Sequence, residues 1–360
     1  MPIPQTPSPS ELFLRQTSAG PINSRVWWEW LNAFRRGFVA FSEETSLSAF
    51  YPDVRLTLTS GVAVTEADVL GATVVYCTSM GRAGIPILDA SGTWVRRPFT
   101  DDLQLFLHPT FHLAAHEYSI FAFWDEDTLA LGTGPAWPTA TSPGTGLGSS
   151  EIVIVAGLPV NKFDITLTNS NLSGVVPATE ALLLGGIATS TISGQTEDSY
   201  AKRLLSNYFN PTLRPMRRYD PANGWTIFAG STTFHQANDN PLNQLEFFFI
   251  GGGRSAMAMA TSMASNGSNL LRAAGVGIAL DATNTVDPNS QKGQMQVDDT
   301  RIWGLPPAIW RGSPGQGRHR LVWIEWAGTP PNASNDDRFF VGDSNNNLVV
   351  QTGISGEVLN

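Results

Sequence analysis

The chain has 360 residues, of which 42% are hydrophobic and 15% charged, with a single cysteine and a formal net charge of -9. The acidic balance argues against wrapping nucleic acid, which needs Lys and Arg to displace counterions, and one thiol, Cys77, excludes an intrachain disulfide framework or a Cys-based zinc site. No apolar run approaches the roughly 20 residues of a membrane helix, so no membrane insertion is expected.

The charged share is also below the roughly 25% usual for soluble domains. With 34 Gly and 24 Pro, this points to many short strands joined by tight turns. It also fits a surface covered by partner subunits, because interface cores are depleted in charge.

Residues 1–22 read as an extended arm, since Pro2, Pro4, Pro7 and Pro9 interrupt helix and central strand alike. Met1 to Ser10 hold no basic residue, so no secretory signal is expected. The expected route is synthesis in a host cytoplasm and release by lysis.

Residues 24–44 are predicted to form a helix. Trp27, Trp30, Leu31, Phe34, Phe38 and Phe41 fall on one broad stripe, with Arg35 and Arg36 on the other side. Trp28 lies off the stripe. Two readings stay open: a helix packed on its own domain, or an assembly helix whose Trp27, Trp28, Trp30, Leu31, Phe34, Phe38 and Phe41 bind another subunit.

From residue 54 the period changes to two. Val54 to Thr59 alternates apolar and polar residues and ends in a Ser60-Gly61 turn. Thr73 to Thr78, Leu103 to Leu107, Tyr118 to Trp124, Thr128 to Leu131, Glu151 to Val155 and Asp164 to Thr168 read as further strands. Asp89 to Gly92 is a turn. Residues 132–150, rich in Gly, Pro, Ser and Thr, form a long loop. A short helix is predicted through Tyr200, Leu204 and Leu205, near a border between two β domains. Beyond it, Trp225 to Phe228, Gln244 to Ile250, Val276 to Leu280, Thr300 to Trp303, Arg320 to Trp326 and Arg338 to Val341 are strand candidates.

The predicted architecture is therefore mainly β. Two β-sandwich or jelly-roll-like domains, 54–190 and 191–360, follow an extended N-terminal arm and an α-helix in 1–53.

Chemistry-bearing patterns are sparse. His108, His112 and His116 have a spacing that would line one helix face and could hold zinc, but Pro109 and the flanking strands favour a loop. Gly251-Gly252-Gly253-Arg254 lacks the spacing of a phosphate loop and reads as a strand-end turn. The pairs Asp101-Asp102, Asp298-Asp299 and Asp336-Asp337 are adjacent, so on strands their side chains diverge. They read as turn caps, with a calcium site as the alternative. Trp303, Trp310, Trp323 and Trp326 read as core or interface, with sugar stacking as the alternative. No nucleophile with its base is in view, no cofactor is implied, and the chain does not read as an enzyme.

The segment VRLTLTSGVAVTEADVLGATVVYCTSMGRAGIPILDASGTW, Val54 to Trp94, resembles a module of tailed-phage structural proteins. SGQTEDSYAKRLLSNYFNPTLRP from Ser193, FHQANDNPLNQLEFFFIGGG from Phe234, GVGIALDAT from Gly275, RHRLVWIEWAG from Arg318 and the final VVQTGISGEVLN resemble its downstream parts in the same order. The resemblance covers 54–360 with gaps. It implies a virion component: a tail fibre, appendage, head fibre or decoration protein. Within it, Thr59-Ser60-Gly61 supplies a turn and Trp94 a core anchor. The expected function is a homo-oligomeric fibre or appendage, most often trimeric in such proteins, held to other virion proteins by its N-terminal segment. The alternative is a tail protein that binds a host surface glycan or receptor.

Overall fold

A computed structural model describes residues 51–81, 84–227, 233–266, 272–297, 303–328, 338–341 and 352–360. The predicted arm and the helix at 24–44, with its seven aromatic and leucine positions, lie outside the described residues. The chain divides into two units, Met1–Pro52 and Asp53–Asn360, and every described strand belongs to the second.

The described residues are mainly β, arranged in several sheets with no α-helix among them. One eight-stranded sheet is built around Glu117–Asp125, which lies between Thr128–Thr133 and Ala181–Ala188. These strands are apolar on both faces, and Tyr118, Ile120, Phe121, Leu182, Leu183 and Ile187 are all buried. A second eight-stranded sheet centres on Gly317–Ala327, the longest of the described strands, with Gln244–Phe249 on one side and Arg272–Leu280 on the other. A five-stranded sheet carries Leu213–Tyr219, Gly353–Leu359 and Ala256–Thr261, and smaller sheets of four, three and two strands complete the unit.

Hydrophobic burial joins these sheets, at roughly 25 cal/mol per Å² of apolar surface removed from water. One core gathers Phe247, Phe249, Trp310, Trp323 and Phe340. Another contains Phe121, Ile165 and Leu183 together with Phe248 and Ile250. Successive residues of Gln244–Phe249 thus serve different cores, as the alternation of a strand requires.

Position 190/191, where a border is expected, is spanned by pairing. Gly185, Gly186 and Ile187 pair with Asn207, Ser206 and Leu205, and Ala72 pairs with Thr196. Leu56 N donates to Asn207 Oδ1 at 2.6 Å. Gly185 sits at a register shift in its strand. A Cβ there would lie 2.2 Å from Ser206 O and 2.6 Å from Leu56 Cδ1, so only glycine admits this approach.

Three local expectations need correction. The predicted helix through Tyr200, Leu204 and Leu205 is instead three short strands, Thr196–Asp198, Lys202–Arg203 and Leu205–Asn207. Neighbouring Leu204 and Leu205 are both buried, and Tyr200 stacks under Arg217 at 4.2 Å. A buried ion cluster fixes this geometry: Asp198 takes Arg203 Nη1 at 2.9 Å and Arg214 Nη2 at 3.0 Å. Tertiary pairing thereby overrides a weak helical preference. Second, Val54–Thr57 alternates in sequence yet is buried on both faces. Arg55 lies in the interior and donates through Nη2 to Asn360 O at 2.9 Å. Burial, with Arg214 nearby, lowers its guanidinium to about 10. Third, Trp94 is only partly buried, because its hairpin with Ile85–Leu88 forms a separate two-stranded sheet.

Candidate ligand cleft

Both eight-stranded sheets contribute to a cleft of about 450 Å³ lined by Ala115, Glu117, Ala140, Thr141, Glu246, Asp281, Arg318 and Arg320. Glu117 opens the central strand of the first sheet. Glu246 and Arg318 lie on adjacent strands of the second, where Phe248 pairs with Arg318. Asp281 directly follows Arg272–Leu280 in a left-handed conformation, φ 55°, which Asp tolerates better than most residues.

The long loop forms one wall. Trp137 holds it down, its backbone N–H donating to Glu117 O at 2.8 Å and its indole Nε1 to Ser119 Oγ at 3.1 Å. Further along, Ala140 O accepts the backbone N–H of Arg318 at 2.8 Å. Gly317 makes this closeness possible: its φ is 120°, and a Cβ would stand 2.6 Å from Ala140 O. Of the loop expected at 132–150, Gly132 and Thr133 instead end the strand Thr128–Thr133, and the remainder is irregular and carries a buried tryptophan.

At the centre, Arg318 Nε donates to Glu246 Oε1 at 2.6 Å and Nη1 donates to Thr189 O at 3.2 Å. Such charge-assisted bonds are the strong ones. Glu117 is different. Its side chain is 4% exposed and its nearest cation, Arg318 Nη1, stands 3.8 Å away. Glu117 Oε1 accepts no hydrogen bond from the described residues. Burial pushes this carboxyl above its usual range, against the pull of Arg318 and His116. At the rim, Asp281 Oδ2 lies 2.8 Å from His319 Nδ1, and Oδ1 accepts Arg320 N at 2.8 Å. The cleft therefore offers donors and acceptors side by side.

A second buried acid lies in the core. Glu325 is wholly buried and accepts hydrogen bonds from Trp225 Nε1 at 2.8 Å and from Ser262 Oγ. Burial raises its carboxyl to about 8, despite those two bonds.

The residues singled out from sequence are scattered. His108 to His116 form a loop. His112 is buried, its Nε2 2.8 Å from Thr133 Oγ1 while its Nδ1 receives the His108 N–H at 2.8 Å. Burial lowers it to about 4. Among the described residues no three His, Cys, Asp or Glu side chains converge as metal ligands. Asp102 Oδ2 caps the Ser60-Gly61 turn, accepting Gly61 N at 2.6 Å. Asp298-Asp299 and Asp336-Asp337 lie outside the described residues. Gly251-Gly252-Gly253 is a turn between strands, and the Arg254 guanidinium donates inward to Asn207 O and Tyr208 O. Trp310 and Trp323 belong to the core, whereas Trp326 packs beside Phe234. Cys77 is buried, which pushes its thiol up. Glu117, Glu246, Arg318 and Glu325 were missed from sequence. The signal was a single carboxylate inside an apolar strand: Glu246 before three phenylalanines, and Glu325 between Ile324 and Trp326.

No family model matches the chain, and no curated protein matches it. Among solved structures it is similar to a Cry1Da tryptic core variant of Bacillus thuringiensis, at 10% identity and a TM-score of 0.18, covering 82% of this chain and 53% of that one. It is similar to the mosquito-larvicidal Cry4Aa toxin of the same organism, at 9% identity and a TM-score of 0.18, covering 86% and 52%. It is also similar to the infectious bursal disease virus Gx strain structure, at 9% identity and a TM-score of 0.15, covering 85% and 75%. The chain spans about half the length of the two toxins. Likenesses this low carry no functional argument.

Proposed function

We propose that the chain is a structural component of a tailed-phage particle, assembling as a homo-oligomeric fibre or appendage and held to other virion proteins by its N-terminal segment. The observation that carries this reading is a sheet edge that no described strand covers. Leu172–Val176 pairs with Ile165–Asn169 on one side. Its Leu172 and Val175 are 73% and 69% exposed, and the strand holds no charge. Monomeric proteins blunt such edges with charge, Pro or a bulge, because unpaired N–H and C=O groups recruit another strand. Exposed Met257, Met259 and Ile309 add an apolar face on the five-stranded sheet, where Met259 pairs with Ile309. The sequence resemblance to phage modules, the low charge and the β-rich architecture agree with this role.

Light scattering on the purified protein tests the assembly. The expected result is an oligomer at micromolar concentration, a trimer by the phage resemblance. Leu172→Lys with Val175→Lys is expected to reduce it to monomer at unchanged melting temperature. A wild-type monomer ends the proposal. Trp27→Ala, Trp30→Ala and Phe34→Ala together test the attachment: normal incorporation into particles would remove the role of the N-terminal segment. The alternative of host glycan binding draws support from the cleft.

A further inference from the structure

We propose that the cleft between Glu117, Glu246 and Arg318 binds a neutral, hydroxyl-rich ligand of the saccharide class. This deepens the glycan-binding alternative and is independent of assembly.

Size comes first. About 450 Å³ falls within the roughly 300–1,000 Å³ of small-molecule sites, and suits a mono- or disaccharide unit. Polar chemistry is the second consideration. A buried carboxyl oxygen without a hydrogen bond costs free energy unless something supplies one. Glu117 Oε1 is such an atom, in a residue that lines the cleft. The missing partner is a hydrogen-bond donor.

Charge then narrows the class. Glu246 and Asp281 contribute two negative charges, Arg318 and Arg320 two positive ones, so these four rim and floor groups sum to zero, with Glu117 as the fifth ionisable group. A free anion would face three carboxyls. A bare metal ion would face the Arg318 guanidinium, which already occupies Glu246 at 2.6 Å. An aliphatic amine would gain Glu117 but crowd Arg318 and Arg320. A sugar hydroxyl both donates and accepts. Neighbouring hydroxyls can donate to Glu117 Oε1 and accept from the guanidinium edge of Arg318. The wall supplied by Ala115, Ala140 and Thr141 adds small apolar groups for the ring carbons.

The full-length chain is tested by saturation-transfer NMR with galactose, glucose and N-acetylglucosamine as probes. Inorganic phosphate, calcium chloride and spermidine serve as competitors. At least one sugar is expected to show transfer, undiminished by the three competitors. Glu117→Leu matches the side chain in size and removes the acceptor. It is expected to weaken sugar binding at least tenfold with the melting temperature held or raised. Thr141→Arg, on the exposed loop, fills the mouth and is expected to abolish transfer without changing the oligomeric state. The inference is overturned if none of the three sugars shows transfer, if transfer survives Thr141→Arg, or if phosphate, calcium or spermidine displaces the sugar. Assembly is read separately by light scattering, so a failure here leaves that result standing.

Discussion

Replacing Glu325 with Gln should raise stability, and should do so more as the pH rises. Glu325 is enclosed by Trp225, Ser262 and Trp323, with Trp225 Nε1 2.8 Å from Oε2 and Trp323 Nε1 donating to Ser262 Oγ at 3.2 Å. Burial raises its carboxyl from 4.5 to about 8. The sign comes from linkage: the unfolded chain releases this proton near 4.5, the folded chain only near 8, so unfolding is increasingly favoured between those values. The interval, at about 1.36 kcal/mol per pH unit, amounts to about 5 kcal/mol as an order of magnitude. The contribution of Glu325 to wild-type stability should therefore decline from about pH 4.5 to about pH 8 and level off above. Gln keeps an acceptor for Trp225, and its amide donates to Ser262 Oγ where the carboxyl oxygen accepted from it, without a titrating proton. Urea unfolding of both proteins at pH 5, 7 and 9 gives the difference directly, and other titrating groups cancel in it. A difference that stays flat across the three pH values, or that favours wild type at pH 9, would refute the reasoning.

His112 should act on the acid side with the opposite slope. Burial lowers it from 6.5 to about 4, so the stability it supports is present above 6.5 and lost as pH falls towards 4, by about 3 kcal/mol. Acid titrations of wild type and His112→Asn should diverge in that window, and parallel curves would count against it. Asp198→Asn leaves Arg203 and Arg214 buried without their carboxylate. Breaking a buried pair in this way costs about 3–5 kcal/mol, seen as a lower urea midpoint, and a loss below about 1 kcal/mol would show the cluster to be solvated. Gly185→Ala drives a Cβ into Ser206 O and Leu56. It should cost about 1–3 kcal/mol or more by overpacking, and an unchanged melting temperature would mean that the two strands can part there.

Much of the strand content was legible in the residues. Period-two runs such as Thr73 to Thr78 and apolar runs such as Tyr118 to Trp124 became strands close to their expected bounds, since one buried face or two leaves a direct mark on composition. Turn chemistry at Ser60-Gly61 and Asp89 to Gly92 was equally local: Asp89 Oδ1 accepts Ser91 N and Thr93 N, and Gly92 takes φ 78°. The segment around Tyr200 was not legible. Its short strands exist because Asp198, Arg203 and Arg214 meet from distant positions. The cleft was hidden for the same reason. Glu117, Glu246 and Arg318 are separated by 129 and 72 residues along the chain, and nothing local in each marks it as the partner of the others.

Sequence alone determined that this protein is built of β-strands, because the alternation of side chains and the conformational limits of Gly and Pro act within a few residues. Tertiary structure alone decided which strands share a sheet, which carboxyls leave water and which arginines meet them. Those outcomes depend on desolvation and on charge pairing between segments that only the folded chain brings together.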